Sequence, residues 1–203
     1  MARFTVCVPA GWLVKSDPIS RIFSFVQSAV KHRVYFHMAV SNRVDLNRSI
    51  CVKTALDRDE HLIMIDSDVV PLQPFDEVAQ YLREDEKGAD VVIGIIASSL
   101  GVLVRPFVKE SVKFYPEFAS MGFVYIPLKT LRRLEIVDWY RIRPDAQFPM
   151  YFRYTSNMSE DGEFFDRITK KGWKVLADKR IKLVHVKDAN IAVNDDGSIR
   201  VSV

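Results

Sequence analysis

Long apolar runs are missing from this chain: no stretch of 18 apolar residues occurs among its 203 residues, so nothing reads as a membrane-spanning helix. Cysteine is scarce as well. Cys7 and Cys51 are the only two, far apart and in no metal-ligand spacing, which argues against a thiolate metal site or a disulfide framework. Two reduced core residues are expected. A strong excess of one charge is also absent: the net charge of +3 gives no reason to expect a nucleic-acid partner, and it would not oppose a phosphate-bearing substrate. The eight glycines and nine prolines are scattered, so no low-complexity linker or internal repeat divides the chain. A single domain over residues 1–203 is expected. The opening "MARFTVCVPAGW" has one arginine followed by strand-like alternation in place of an apolar signal core, so the expected location is cytoplasmic.

What is present is an alternation of strand and helix patterns. Residues 3–9 read as a strand, 19–31 as a helix with Ile19, Ile22, Phe23, Val26 and Val30 on one face, and 34–40 as a second strand. A helix over 44–56 and a strand over 61–65 follow. Strand, helix, strand, helix, strand implies right-handed crossovers and a parallel, doubly wound half. Next come a helix over 75–86 and a strand over 90–97. The second half is less regular, with short strands near 101–107 and 120–126, a helix over 128–134, an aromatic segment over 138–154 and a helix over about 160–171. Strands "WKVLA" and "KLVHV" close the body, and "ANIAVNDDGSIRVSV" reads as a terminal hairpin around an Asp-Gly turn.

The chemistry gathers at "HLIMIDSDVVP". The apolar run Leu62–Ile65 reads as a strand buried on both faces, and Asp66 and Asp68 follow at its carboxyl end, where open α/β sheets bind their ligands. Two carboxylates on a strand-end turn suit Mg2+ or Mn2+, which take oxygen ligands and complete their shell with phosphate and water. The same residues could simply make a turn and cap the next helix. In "SNMSEDGEFFDRITKKGWKVL", Ser159 is a candidate N-cap with Glu160 and Asp161 in the first turn. Acids there complement the helix dipole, and Asp161 could also serve as a general base. His185, in "KLVHV", is either a packed strand residue or a neutral imidazole ligand beside carboxylate oxygens.

Taken in order, these segments resemble glycosyltransferases of the GT-A fold, the minimal archaeal, bacterial and viral forms in particular. "IDSDVVP" is similar to their DxD motif, "SMGFVYIPLKTLRRL" to their glycine-containing acceptor loop and helix, "SEDGEFFDRITKKGWKV" to their xED motif and "KLVHV" to their C-terminal metal-binding histidine. The resemblance implies a mixed, mostly parallel α/β sheet flanked by helices, and a metal-dependent transferase moving a sugar from a nucleotide-diphosphate sugar to a glycan, lipid or protein acceptor. It further implies that Asp68 binds Mn2+ or Mg2+ directly, that Asp66 binds the metal or the donor ribose, and that His185 is the remaining ligand, with Ser67 in the donor-binding turn. Pro9 and Ala10 would lie near the base, Arg48 would approach the nucleotide, and Gly122 would admit the acceptor and donor sugar. Asp161 would be the base of an inverting reaction. Donor and acceptor identities stay open.

Two other readings compete. "LIMIDSDVV" also fits a haloacid-dehalogenase-type phosphatase with Asp66 as nucleophile, Asp68 as acid, and Asp161 and Asp166 as later acids. Against it, Val69 replaces the usual glycine and the strand is third, not first. A silent sugar-nucleotide or glycan-binding module is the other. The segment "DWYRIRPDAQFPMYFRY", where aromatics alternate with arginines, suits stacking on sugar rings or peripheral contact with a membrane surface. Tyr151–Tyr154 are expected to form part of an acceptor wall.

Overall fold

The computed structural model describes residues 1–12, 14–98, 101–186, 190–194 and 196–202. In chain order the first half contains β1 (Arg3–Ala10), α1 (Ser16–Gln27), β2 (Arg33–Val40), α2 (Val44–Arg58), β3 (His61–Ile65), β4 (Val69–Pro71), α3 (Phe75–Asp85) and β5 (Val91–Ile93). Short strands follow: β6 (Ala97–Ser98), β7 (Gly101–Val102), β8 (Val104–Arg105), β9 (Lys113–Phe114), β10 (Phe118–Ala119) and β11 (Phe123–Ile126). The chain then forms α4 (Leu128–Leu131), β12 (Asp138–Arg143), β13 (Ala146–Met150), α5 (Glu160–Lys170), β14 (Val175–Asp178), β15 (Leu183–Val186), β16 (Asn190–Val193) and β17 (Ile199–Ser202).

The central sheet has the order β2-β1-β3-β11-β5-β14-β9. β1 runs parallel to both β2 and β3, and β14 runs parallel to β5. β11 lies antiparallel between β3 and β5, and β9 is antiparallel to β14, so the sheet is mixed with most strands pointing one way. Strand alternation sorts the core into two layers. Phe4, Val6 and Val8 of β1, with Ile63 and Ile65 of β3, pack toward α1 and α3. Cys7, Leu62 and Met64 pack on the other face with Cys51, Val52 and Ala55 of α2 and Phe164 and Ile168 of α5. Both faces of β3 are covered, which is why it reads as an unbroken apolar run.

Cys7 and Cys51 are joined in a disulfide with a Cα–Cα distance of 5.6 Å, correcting the expectation of two reduced thiols. The alternation that points Cys7 away from Val6 and Val8 aims it at α2, where Cys51 lies on the inward face; nothing in their sequence spacing signals the pairing. The first helix also differs from expectation, spanning Ser16–Gln27. Pro18 is accommodated in its first turn. Beyond its end, the amides of Val30 and Lys31 bind the Asp76 carboxylate, so Val30 lies outside the helix and is 82% exposed.

A second sheet, β17-β16-β15-β4, is antiparallel throughout. β4, to which the sequence pattern assigns no element, pairs with β15 so that His185 stands opposite Val69. The terminal hairpin forms as expected and extends this sheet beyond β15. Its turn needs glycine at position 197, where φ is +81° and an added Cβ would lie 2.3 Å from the Phe107 ring. Among the described residues no helix is long and apolar enough to cross a membrane.

Candidate active site

Asp66 leaves the end of β3 with its amide donating to the Gly122 carbonyl at 2.9 Å, and the Val69 amide closes the turn onto the Asp66 carbonyl, also at 2.9 Å. Asp66, Ser67 and Asp68 therefore occupy one tight turn between the two sheets. From there the two carboxylates take different partners. The Asp68 Oδ2 lies 3.1 Å from His185 Nε2, and the Val186 amide donates to the Asp68 carbonyl at 2.7 Å, so the β4–β15 register holds both residues side by side. His185 is buried, and its Nδ1 lies 2.8 Å from the Ala97 carbonyl. A carbonyl can only accept, so Nδ1 carries a hydrogen; Nε2 then either donates to the Asp68 carboxylate as part of an imidazolium or, in the neutral ring, is a lone pair that pairs with Asp68 only through a shared cation.

Asp66 turns instead to Arg48. This guanidinium is 3% exposed, with Nη1 3.1 Å from Asp66 Oδ1, Nη2 3.1 Å from Asp161 Oδ1, and Nε 3.4 Å from Glu160 Oε1. The Nη1–Asp66 Oδ1 and Nη2–Asp161 Oδ1 contacts are close charge pairs that lack hydrogen-bond alignment, although Nη2 donates to Asp66 Oδ2 at 3.5 Å; among the described residues Nη1 and Asp161 Oδ1 are buried with no hydrogen-bond partner of their own. Burial works against the guanidinium's charge, but Asp66, Asp161 and Glu160 together hold it above its ordinary range. Three carboxylates around one cation leave an excess of negative charge. Asp161 responds by being pushed up to about 6, chiefly through burial against the opposing pull of Arg48, with Asp66 and Glu160 adding to the rise. The dipole alone would favour its ionised form; desolvation and the two neighbouring acids outweigh it. Asp66 is raised too, again first by burial.

α5 starts where the sequence indicated. The Ser159 Oγ accepts the Gly162 amide at 3.3 Å as N-cap, and Asp161 Oδ2 accepts the Met121 amide at 3.2 Å. Glu160 and Asp161 point about 100° apart on an ideal helix, yet both reach Arg48 because the guanidinium spans the gap. Pro9 and Ala10 lie at the carboxyl end of β1. The Ala10 carbonyl accepts the Asn47 Nδ2 at 2.7 Å, and Asn47 also reaches the Ser41 carbonyl at 3.2 Å, tying together the ends of β1 and β2. Asn47, fully buried, was missed; in the sequence it is one polar residue among several on a helix whose amino-terminal half buries Asp45, Arg48 and Ser49 as well. Gly122 has a packing role: an added Cβ would lie 2.4 Å from Ile96 Cδ1 and 3.2 Å from Val69 Cγ2.

The structure thus brings Asp68 to His185, and Asp66, Glu160 and Asp161 to Arg48. It does not draw Asp66 into the Asp68–His185 pair: among the described residues no group of three His, Cys, Asp or Glu side chains converges as a ready-made metal cage. Asp166, the later acid of the phosphatase reading, faces away from this cluster and pairs with Lys170 at 2.8 Å. Of the expected acceptor wall, Tyr151 and Phe152 are instead buried in the core, with their amides held by the Ser49 hydroxyl and Phe152 stacked on Phe164, whereas Tyr154 is exposed. Trp139 and Ile142 of the β12–β13 hairpin are exposed.

No protein-family model matches the chain, and no curated protein matches it in sequence. Among solved structures, A197 from STIV aligns over 100% of this chain and 95% of its own, with a TM-score of 0.62 and 21% identity. A mutant of Drosophila beta-1,4-galactosyltransferase 7, crystallised with manganese, UDP-Gal and xylobiose, aligns over 92% of this chain and 71% of its own, with a TM-score of 0.56 and 13% identity. At such identities the likeness is one of fold: this chain has a glycosyltransferase-like GT-A fold, a mixed α/β sheet flanked by helices.

Proposed function

We propose that the protein is a metal-dependent glycosyltransferase that takes a nucleotide-diphosphate sugar and transfers the sugar to an acceptor hydroxyl with inversion, Asp161 acting as base. The observation that carries this reading is the Asp68–His185 pair: an imidazole nitrogen and a carboxylate oxygen 3.1 Å apart, the other ring nitrogen committed to the Ala97 carbonyl, at the carboxyl edge of the sheet. A carbonyl that fixes the tautomer and orients the ring is the usual support behind a metal-binding histidine, so the donor set fits Mn2+ or Mg2+. Asp68 and His185 would hold the ion, with Asp66 reaching it or the donor ribose from the same turn. When bound, the ion supplies positive charge against the diphosphate leaving group.

The remaining work belongs to the chain's own side chains. Arg48, buried beside the donor turn, holds Asp66 and Asp161 in place by charge and offsets their negative potential on the side where the nucleotide approaches. Pro9 and Ala10, fixed by Asn47, border the nucleoside. Asp161, at about 6, is still ionised at neutral pH and takes a proton more readily than an ordinary carboxylate, the compromise a general base requires. Its Oδ2 is steadied by the Met121 amide while it receives the acceptor proton at the moment of attack on the anomeric carbon. The acceptor is a glycan, glycolipid or glycoprotein hydroxyl, and the exposed Trp139–Ile142 hairpin offers peripheral contact with a membrane surface.

A panel of nucleotide sugars assayed with Mn2+ and with EDTA tests the proposal, read by which nucleoside diphosphate appears. Mn2+-dependent release from one donor is expected, with donor affinity lost in Asp68→Asn. Equal donor affinity in EDTA and in Asp68→Asn would sink it, and binding without turnover in the presence of acceptors would favour a non-catalytic module.

A further inference from the structure

The β2 edge of the central sheet is open along its length. Among the described residues β2 pairs only with β1, and it carries none of the devices that keep a free edge from recruiting another strand. It is eight residues long, has no proline, and bears one fixed charge, Arg33, at its first position. Its register with β1 runs from Arg3 opposite Arg33 to Ala10 opposite Val40 without a bulge. The other edge is protected in the usual way: β9 has two residues, and one of them is Lys113. We propose that β2 is an interface at which two copies of this chain join antiparallel about a two-fold axis at His37, merging their central sheets, an arrangement that does not depend on the transferase reading.

The backbone selects the partner. The Arg33 amide donates to the Ala2 carbonyl and the Ser41 amide to the Ala10 carbonyl. With unbroken register between them, the odd-numbered residues bond to β1, and the amides and carbonyls of Val34, Phe36, Met38 and Val40 point outward. That row is symmetric about His37. Run in reverse against itself, it sets Val34 opposite Val40 of the partner subunit and Phe36 opposite Met38 of the partner subunit. Each such pair exchanges two hydrogen bonds, so every outward dipole meets one of opposite sign. The same four side chains share the α1 face of the sheet, where Val34, Phe36 and Met38 are only partly buried and Val40 is 46% exposed. The Phe23 ring of α1, also 46% exposed, lies edge-on to Phe36 with centroids 5.8 Å apart. Pairing therefore covers apolar surface that one copy leaves open. The edge is about 26 Å long and, with α1 and α2 against its two faces, about 25 Å deep. That strip is about 650 Å2 per copy, near the ~800 Å2 that each partner of a stable complex buries.

Sedimentation velocity on the oxidised full-length protein over about 1 to 100 μM, a range set by a micromolar dissociation constant, should show a reversible monomer–dimer equilibrium. Val40→Pro removes one outward amide that β1 does not use, and His37→Lys sets like charges across the axis. Each should weaken the dimer by about tenfold while circular dichroism stays native, and mixing His37→Lys with His37→Glu should restore it as a heterodimer. A cross-link reads the register. Cys7 and Cys51 are already bonded to each other, so a thiol introduced on β2 reports on the partner. In His37→Cys the two thiols face each other with Cα atoms about 4.5 Å apart and should oxidise to a covalent dimer. In Tyr35→Cys the Cα atoms are about 13 Å apart and should not link. A monomer across the whole range overturns the interface, and so does a dimer that withstands both Val40→Pro and His37→Lys, or one that links through Tyr35→Cys as readily as through His37→Cys.

Discussion

At the scale of single residues, a buried arginine gathers three acids, Asp161 among them, to which the proposed transferase assigns the role of base. Asp161→Asn keeps the shape of the first turn of α5 but removes the proposed base, so on that proposal transfer should fall by about 10²- to 10⁴-fold while donor and metal binding persist; Glu160→Gln should retain more activity. Steady-state transfer to a verified acceptor measures both, and wild-type turnover in Asp161→Asn would point to retention of configuration. Arg48→Met leaves Asp66, Glu160 and Asp161 buried without their cation. It should cost about 3–5 kcal/mol in denaturant unfolding, the penalty for breaking a buried ion pair from one side. Asp66, Asp68, Asp161 and His185 were legible in the sequence because each occupies a position where chemistry has a local signature: a strand end, a capped helix start, a polar residue inside a late strand. What was not legible was partnership. That Asp66 faces Arg48 while Asp68 faces His185, and that Glu160 joins Asp161 on the same guanidinium, depends on the β4–β15 register and on the position of α2, neither of which is written in any short stretch.

Elements are locked to one another by a second buried charge cluster, remote from the site. Asp85 at the end of α3 meets Lys113 of β9 at 2.5 Å, and Arg180 clasps both Asp178 of β14 and Asp85, at 2.7 and 3.2 Å. Burial, then the hydrogen bond to Asp178, push Asp85 up to about 6, whereas Asp178, though also buried, is held low by the Arg180 fork and by Asp85. Below about pH 6 the pair therefore takes up one proton, and Asp85 holds it. Because the folded state keeps that proton above the pH at which the unfolded chain gives it up, the contribution is full below about pH 4 and is lost as pH rises through about 6. The stability of wild type relative to Asp85→Asn should therefore decline across that window, as read by denaturant midpoints at a series of pH values; a flat difference would contradict that proton uptake. At this scale the parallel half, α3, α5 and the terminal hairpin followed from periodicity and turn chemistry. α1 was placed too late because Ile19–Val30 repeats like a helix face, and the sequence does not show that Asp76 captures the chain at Val30 and Lys31. β12 and β13 went unassigned because their aromatics alternate with arginines on a ribbon that is open to solvent on one face.

For the whole molecule, a doubly wound α/β half was legible from element order and the GT-A architecture from the resemblance of its motifs, but the Cys7–Cys51 bond was not. It ties the strand that ends in Pro9 and Ala10 to the helix that carries Asn47 and Arg48. Closing a loop over a sequence separation of 44 residues is worth about 4 kcal/mol on a chain-entropy account. A Cys7→Ser/Cys51→Ser double variant should accordingly unfold at markedly lower denaturant, and its midpoint should no longer respond to a reductant that destabilises wild type. The bond also makes the protein a chain with a closed loop of fixed length in it. If the two termini were drawn apart under force, residues 8–50 could unravel but could not pay out, so the oxidised protein should lengthen by roughly 150 Å less than the reduced one. Such a pull would undo the hairpin and the histidine strand completely while the segment bearing Arg48 stayed looped.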